Sequence, residues 1–453
     1  MGRYDVVMKP VEPARRIGSG VLPISIAFAL IIVAGAAVLT LPWAAADGEW
    51  THPYPALFTS VSAICTTGLV VVDTKEHWSF FGELSILILF QVGGLGYMVG
   101  TAIVLWALGR RLGLRDQEML RMYYGAPDAS ETFRFAKTIG LYALAMEAAG
   151  ALVLFVAFVL SGVSWSQSVW FGIFHSVSAF NLAGFNVTGA DMQPFATDPQ
   201  VLVPLSLLAI AGSIGGVPVV VLANRKTFRN LPLDSKLVFG TTAVLLASAT
   251  FVLLAWEWDN PATFGAASRQ SRPLLAFFQA SMWTTGFSAV DIGSLEDQTK
   301  LFLWGLMFVG GAPGSASGGI KVGTFALLFF AMLATLRGRD DVEALGKRVP
   351  MIVIRQAVTI ALIFVGIVFV LGTALVAFAQ EFNALDTVFE EISALATVGW
   401  STGHTPEFDG VGRAIIITGM LIGRFAPLLL VLEMTRPRKR GNVRVPEDSI
   451  RLG

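Results

Sequence analysis

The sequence predicts an all-α integral membrane protein of four pseudo-repeats. Each is a helix, a pore half-helix, a filter-like loop and a second helix, set around a central pore. Three observations predict it. Of 453 residues, 54% are apolar and only 14% charged, where soluble domains carry about a quarter charged residues. Eight stretches are long and apolar enough to cross a hydrocarbon layer of roughly 30 Å. Between the members of each successive pair lies a shorter apolar segment ending in a glycine motif, and the four motifs align.

The eight stretches lie near residues 20–44, 80–109, 136–161, 201–223, 236–256, 301–336, 351–379 and 411–434. The first follows Arg15 and Arg16 and resembles a secretory leader. Its apolar run from Val21 to Ala46 is too long for one, however, and suits an uncleaved spanning helix. The resulting organisation is an N-terminal segment 1–18, repeats over 19–112, 132–226, 234–338 and 349–436, and a tail 437–453.

The short segments read "AICTTGL", "AFNLAGF", "SMWTTGF" and "ALATVGW", with their glycines at Gly68, Gly184, Gly286 and Gly399. Five residues before each glycine stands a small residue (Ala63, Ala179, Ser281, Ala394), and directly after it a bulky one (Leu69, Phe185, Phe287, Trp400). Phe58, Phe174 and Phe389 lie ten residues upstream in three of the four. Any four of the chain's 46 glycines can be aligned. Agreement at several positions, at near-quarter spacing, separates these four from the rest.

Charge placement orients the chain. An even number of spans puts both termini on one side, and that side receives 25 of the 32 basic residues. By the positive-inside rule the termini are cytoplasmic and the glycine motifs open outward. The outer face is rich in carboxylates, among them Asp191, Asp198, Glu257, Glu390 and Glu391. Asp73 and Asp291, each five residues beyond a motif glycine, are the candidate mouth residues. A surplus of carboxylates around a mouth concentrates cations. Cys65 is the single cysteine, which excludes a disulfide framework. His52, His77, His175 and His404 are scattered and make no zinc site.

The glycine motif carries the chemistry. Non-helical backbone at membrane depth is tolerated only inside protein or along a water-filled path. Glycine lets carbonyls turn toward an axis, and rings of carbonyl oxygens replace a cation's hydration shell. The candidate filter residues are Thr66, Thr67 and Gly68; Leu182, Ala183 and Gly184; Thr284, Thr285 and Gly286; and Thr397, Val398 and Gly399. A second irregular stretch, "GGAPGSASGG" at 310–319, interrupts the sixth span with five glycines and a proline, too many for a continuous helix. Arg424 and Glu147 lie mid-span, where charge is expensive and usually has a use. Glu147 reads as structural, satisfied by a neighbouring helix; Lys321 anchors the irregular stretch or pairs with a carboxylate.

The motifs "TTGL", "NLAGF", "TTGFSAVD" and "TVGWSTG", with "GGAPGSASGGIKVGTF", "MLIGRFAPLLLVL" and the tail "VRVPEDSIRLG", resemble the Trk/Ktr/HKT superfamily of potassium transporters, and within it the KtrB-type membrane subunits of Ktr systems. The resemblance covers essentially the whole chain. It implies a potassium-channel-like fold with potassium at the filter and sodium as an open coupling ion. It implies a gate loop containing Gly310, Gly311, Gly314, Ser315, Ser317, Gly318 and Gly319, with Arg424 as a barrier beneath the filter. It further implies a bacterial inner (plasma) membrane location, a homodimer, and a cytosolic KtrA-type nucleotide-binding ring that carries the ATP or ADP. No cofactor is expected in this chain and no nucleic-acid partner. The tail from Gly441 to Gly453 is expected to hold the second subunit or the ring.

Leu182, Trp400 and Pro313 depart from the family pattern and bear on filter shape and gating. Two alternatives remain. One is a self-contained HKT-like sodium/potassium transporter; glycine at position 68 is the discriminating residue. The other is an intramembrane serine hydrolase, suggested by "SASG" and His404, which leaves the fourfold pattern unexplained. The nearest thing to a dinucleotide fingerprint, "GGLGYMVG" at 93–100, has the wrong spacing and lies in an apolar span.

Overall fold

The computed structural model describes residues 18–107 and 129–434. All but the last residue of the expected segment 1–18, the tail 437–453 and the basic residues between 108 and 128 lie outside the described residues.

Alternating long and short apolar runs produce one order of elements four times. The first unit is α1 (Gly18–Thr40), α2 (Pro53–Ile64), the one-turn α3 (Thr74–His77) and α4 (Phe80–Ala107). The second is α5 (Ala129–Leu160), α6 (Trp165–Phe180), α7 (Pro199–Ile214) and α8 (Gly216–Arg225). The third is α9 (Leu233–Glu257), α10 (Arg272–Ser281), α11 (Asp297–Phe308) and α12 (Val322–Leu336). The fourth is α13 (Met351–Phe378), α14 (Ala384–Leu395) and α15 (Gly410–Met434). At 1.5 Å per residue, the 10 to 16 residues of α2, α6, α10 and α14 cannot cross a bilayer.

The short helices start on local signals. His52 caps α2, its Nδ1 accepting from Tyr54 N at 3.2 Å, with Pro53 in the first position. Asn383 caps α14 through Leu385 N at 3.1 Å. In the first, second and fourth units the short helix is clamped between the long ones; in the third, α10 packs on α9 and on α7 of the second unit. The units meet in a ring, α4 on α5, α7 on α10, α12 on α13, and α15 back on α2. One glycine in the second long helix permits the clamp in three units. Gly93, Gly212 and Gly423 lie directly on the carbonyls of Ile64, Phe180 and Leu395, four residues before each motif glycine.

Among the described residues, four helices pass as spans by length and hydropathy: Phe80–Tyr97, Lys137–Leu160, Leu233–Glu257 and Met351–Phe378. The outer ends of several helices expose Trp43, Trp50, Trp165 and Trp256, as expected of a membrane-interface belt. The stretch expected as one span at 201–223 is not continuous. It bends by 90° between α7 and α8. Gly215 sits there at φ 73°, ψ 164°, a region essentially closed to other residues, and Pro218 has no N–H to offer the Ile214 carbonyl. The expected interruption of 301–336 separates α11 from α12. A two-residue hairpin, β1 (Glu343–Ala344) with β2 (Lys347–Arg348), follows α12; its turn residues Leu345 and Gly346 both have positive φ.

The carboxylate surplus of the outer face needs correction. Glu257, Glu390 and Glu391 are fully buried. Glu257 ties the third outer loop, accepting from Asn260 Nδ2 (2.7 Å), Thr263 Oγ1 (2.8 Å), Glu296 N (3.0 Å) and Thr299 Oγ1 (2.5 Å). Glu390 does the same for the fourth, through Ser401, Thr402 and Thr405. Asp386 pairs with Lys300 at 2.9 Å between α14 and α11. Sequence patterning reads these charges as solvated; Glu257, Glu390 and Asp386 act as internal struts, while both Glu391 oxygens lie buried without a hydrogen-bond partner among the described residues. Glu257→Ala leaves four donors unpaired and is expected to cost about 3 kcal/mol. A clear drop in the thermal unfolding temperature of the detergent-solubilised protein checks this.

Candidate functional site

Each short helix ends in a strand that carries its motif glycine. In three of them the ending is a Schellman turn. The Thr67, Ala183 and Val398 N–H groups reach back to the Ser62, Ser178 and Ser393 carbonyls at 2.8–2.9 Å. The turn residue must then be left-handed. It is Thr66 (φ 51°), Leu182 (φ 57°) and Thr397 (φ 50°), none of them glycine. Threonine at positive φ is a strained choice, of the kind that concentrates at functional sites. Leu182, a departure in sequence, holds the same backbone role as its two counterparts.

The serine six residues before the glycine is a functional position that sequence reasoning missed. Ser62 Oγ accepts from Gly68 N at 3.1 Å and Ser393 Oγ from Gly399 N at 3.0 Å. Ser178 Oγ donates to the Phe185 carbonyl at 2.8 Å. The third strand has Ala280 in that place, and its turn differs. Thr285 and Gly286 N–H both bond the Met282 carbonyl, and Thr284 is not left-handed. The signal was in the letters: Ser, Ser, Ala, Ser at one spacing.

The four strands converge. A Cβ built on Gly68 would lie 2.5 Å from the Ala183 carbonyl oxygen. One on Gly184 would strike the Thr285 oxygen, one on Gly286 the Val398 oxygen, and one on Gly399 the Thr67 oxygen. Each glycine therefore abuts the carbonyl just before the next glycine, in the closed order one, two, three, four, one. All four have positive φ, from 69° to 100°. The hydroxyls of Thr67, Thr284 and Thr285 are buried and have no hydrogen-bond partner among the described residues. On one side the four glycines floor a vestibule of about 210 Å³, also lined by Asp73, Asp191, Asp291 and Trp400.

On the other side, the 309–321 loop closes the ring from below. Thr397 Oγ1 accepts from Gly318 N at 2.9 Å, and Thr66 Oγ1 donates to the Ala316 carbonyl at 3.3 Å. Arg424, buried in α15, donates to Ala316 O and to Gly93 O (2.6 Å) and stacks on the Tyr97 ring at 4.3 Å. Lys321 Nζ donates to the Ser317 carbonyl, so of its two expected roles it takes the anchor.

A family profile described as "TrkH: Cation transport protein" matches residues 24–439. The chain belongs to this family. It is 32% identical over 432 residues to the Ktr system potassium uptake protein B of Bacillus subtilis (strain 168), covering 95% of this chain and 96% of that one. It is 29% identical over 453 residues to the potassium/sodium uptake protein NtpJ of Enterococcus hirae, covering 99% and 98%. The crystal structure of the potassium transporter TrkH from Vibrio parahaemolyticus superposes with a TM-score of 0.72 at 20% identity, over 94% of this chain and 86% of that one, and shows the fold.

Members of the TrkH family are multi-pass cation transporters and not enzymes, which removes the hydrolase alternative. The geometry agrees. Ser317 Oγ accepts from Gly311 N, Ser315 Oγ donates to Ala312 O, and His404 pairs with Glu407 in an outer loop. Trp400 is buried and donates from its indole to the Phe287 carbonyl at 3.0 Å, tying the fourth strand to the third. Glu147 does find neighbouring helices: its oxygens accept from Gln91 Nε2 and Asn181 Nδ2, both at 2.8 Å. Among the described residues no group of His, Cys, Asp and Glu is arranged to hold a metal.

Asp73 and Asp291 are exposed at the vestibule, and both also make local bonds. Asp73 caps α3 through Lys75 N and Glu76 N; Asp291 accepts from Gly293 N and Ser294 Oγ. Asp191, not singled out for the mouth, is the stronger strut. Its Oδ2 accepts from Ser288 N at 2.7 Å, two residues after Gly286, while its Oδ1 is buried without a partner among the described residues. Burial pushes this carboxyl up to about 8, and backbone N–H groups of Ser288 and Met192 offset that only in part. A carboxyl raised on folding contributes stability at low pH that is lost as pH climbs toward 8. Asp191→Asn keeps an acceptor for Ser288 and removes the titration. Its unfolding temperature is expected to fall less than that of the wild type between pH 5 and pH 9; parallel melting curves at the two pH values check it.

Proposed function

We propose that this chain is the potassium-translocating membrane subunit of a Ktr-type uptake system. The closed ring of four glycine strands beneath an open vestibule carries this reading. It offers backbone and threonine oxygens, and no fixed positive charge, to a dehydrated cation. The names of its relatives support potassium as the ion. Sodium enters as a co-transported or competing ion, a reading favoured by the potassium/sodium relative. Glycine at position 68 fits a potassium-selective first strand. The Thr66–Gly68, Leu182–Gly184, Thr284–Gly286 and Thr397–Gly399 segments are the filter, the loop around Gly310–Gly319 is the gate, and Arg424 holds that gate shut. The excess of basic residues on one side supports cytoplasmic termini in a bacterial plasma membrane. The Ktr system name of a relative supports a partner subunit. We assign it as a cytosolic nucleotide-binding ring on the basic face of a homodimer.

Gly68→Ser places a side chain where the Ala183 carbonyl stands 2.5 Å away, so the ring must open locally. Apparent potassium affinity is expected to drop at least tenfold, with stronger competition from sodium. Rubidium or potassium uptake by a transport-deficient bacterium measures both, and unchanged values would remove Gly68 from the filter.

Shortening the 310–319 loop by removing Gly314 to Ser317 is expected to raise the maximal uptake rate several-fold while half-saturation stays within about twofold. Arg424→Ala shifts the rate the same way. A correctly assembled deletion variant with no transport would contradict the gate.

Reconstituted alone, the chain is expected to be dimeric and to transport slowly. Addition of a nucleotide-binding ring with ATP should accelerate flux. A monomer with full, nucleotide-insensitive uptake would favour a self-contained transporter.

A further inference from the structure

The break between α7 and α8 leaves a specific group exposed inside the protein. In an unbroken helix the Ser213 carbonyl would accept from the N–H four residues on. The turn at Gly215 takes that donor away. The carbonyl is instead used by the third unit, where Ala312 N donates to Ser213 O at 2.8 Å. Gly311 packs on the same oxygen so closely that a Cβ there would stand 2.6 Å from it. Gly215 itself lies against the loop, with 3.2 Å from its virtual Cβ to Ser315 N and 3.3 Å to Gly314 O.

The loop is thus held at two ends of different character. Its later residues are fixed from Thr66, Thr397 and Arg424, which belong to the ring and to α15. Its earlier residues are fixed from the helix break. That second attachment sits on a joint: Gly215 and Gly216 join two helices at 90°. The first turn of α8 is buried, and its far end, with Arg225 and Lys226, is exposed.

We propose that Ser213 is a positioning residue of the gate: its freed carbonyl latches the loop across the path, and movement of α8, passed through the Gly215 joint to the last turn of α7, withdraws the latch. The proposal rests on reading the 309–321 loop as the gate. It adds that the second unit, through a lever reaching the cytoplasmic side, controls when the gate moves. A helix that merely bent for packing would not present its unpaired carbonyl to a glycine loop of another unit.

Two variants test it in the full chain. Residues joined by a 2.8 Å backbone bond lie within reach of a disulfide. Ser213→Cys with Ala312→Cys, oxidised by a membrane-permeant copper complex, is expected to lose at least nine-tenths of its potassium uptake and to recover it on reduction, while either single variant is insensitive to the oxidant. Gly215→Ala strains the joint and crowds Ser315, and is expected to raise the maximal rate at least twofold without moving half-saturation. Monodisperse elution of each variant establishes assembly. A bond formed in full with uptake unchanged, a pair that never forms it, or Gly215→Ala with wild-type rate would each overturn the latch. If shortening the loop also leaves the rate unchanged, the gate reading itself has failed. If shortening accelerates uptake but the latch variants do nothing, only the role of Ser213 is lost.

Discussion

A helix that stops inside a membrane leaves carbonyl groups that lipid cannot satisfy. This chain does so four times, and the rest of the structure follows from where those groups go. Three half-helices turn back on themselves through left-handed Thr66, Leu182 and Thr397. The strands beyond then lean on one another, so that every glycine touches the carbonyl of its neighbour. The ring closes only when α15 returns to α2, which makes the two ends of the chain partners in one object.

The irregular loop beneath the ring obeys the same constraint by another route. A parallel bridge between Val309 and Ile320 closes its base, and for the rest the protein supplies individual partners: a hydroxyl from Thr66, another from Thr397, a guanidinium from Arg424 and a carbonyl from Ser213. These come from the first, fourth and second units. Above that bridge the loop is held by single bonds, which can break in steps without concerted unfolding. Buried arginine at this depth is costly. Here it is engaged by two carbonyls and an aromatic face.

Much of this was legible in the letters. The aligned glycines located the four strands, the glycine run in "GGAPGSASGG" located the break between α11 and α12, and the mid-span position of Arg424 marked it for a purpose. What escaped did so for identifiable reasons. Ser62, Ser178 and Ser393 sit at one spacing, but serine is ordinary in a helix and its meaning appears only once the turn forms. The α7–α8 break hides in a run of high hydropathy, although "GSIGGVP" at 212–218 carried three glycines and a proline. Glu257, Glu390 and Asp191 read as surface charges because carboxylates between spans usually are; burial by a neighbouring segment is not written locally. Glu147 could be assigned a neighbour but not which one, because Gln91 and Asn181 belong to elements on either side of it.

Ala280 has a consequence of a different kind. Channels of four identical chains change all walls of a filter together, since one codon serves them all. Here a single polypeptide supplies the four walls from four separate stretches. One of them carries Ala280 in place of the serine and makes another turn. On the proposed filter role, mutation can adjust one side of the ion's cage at a time, and selectivity in such a protein can drift in quarter steps.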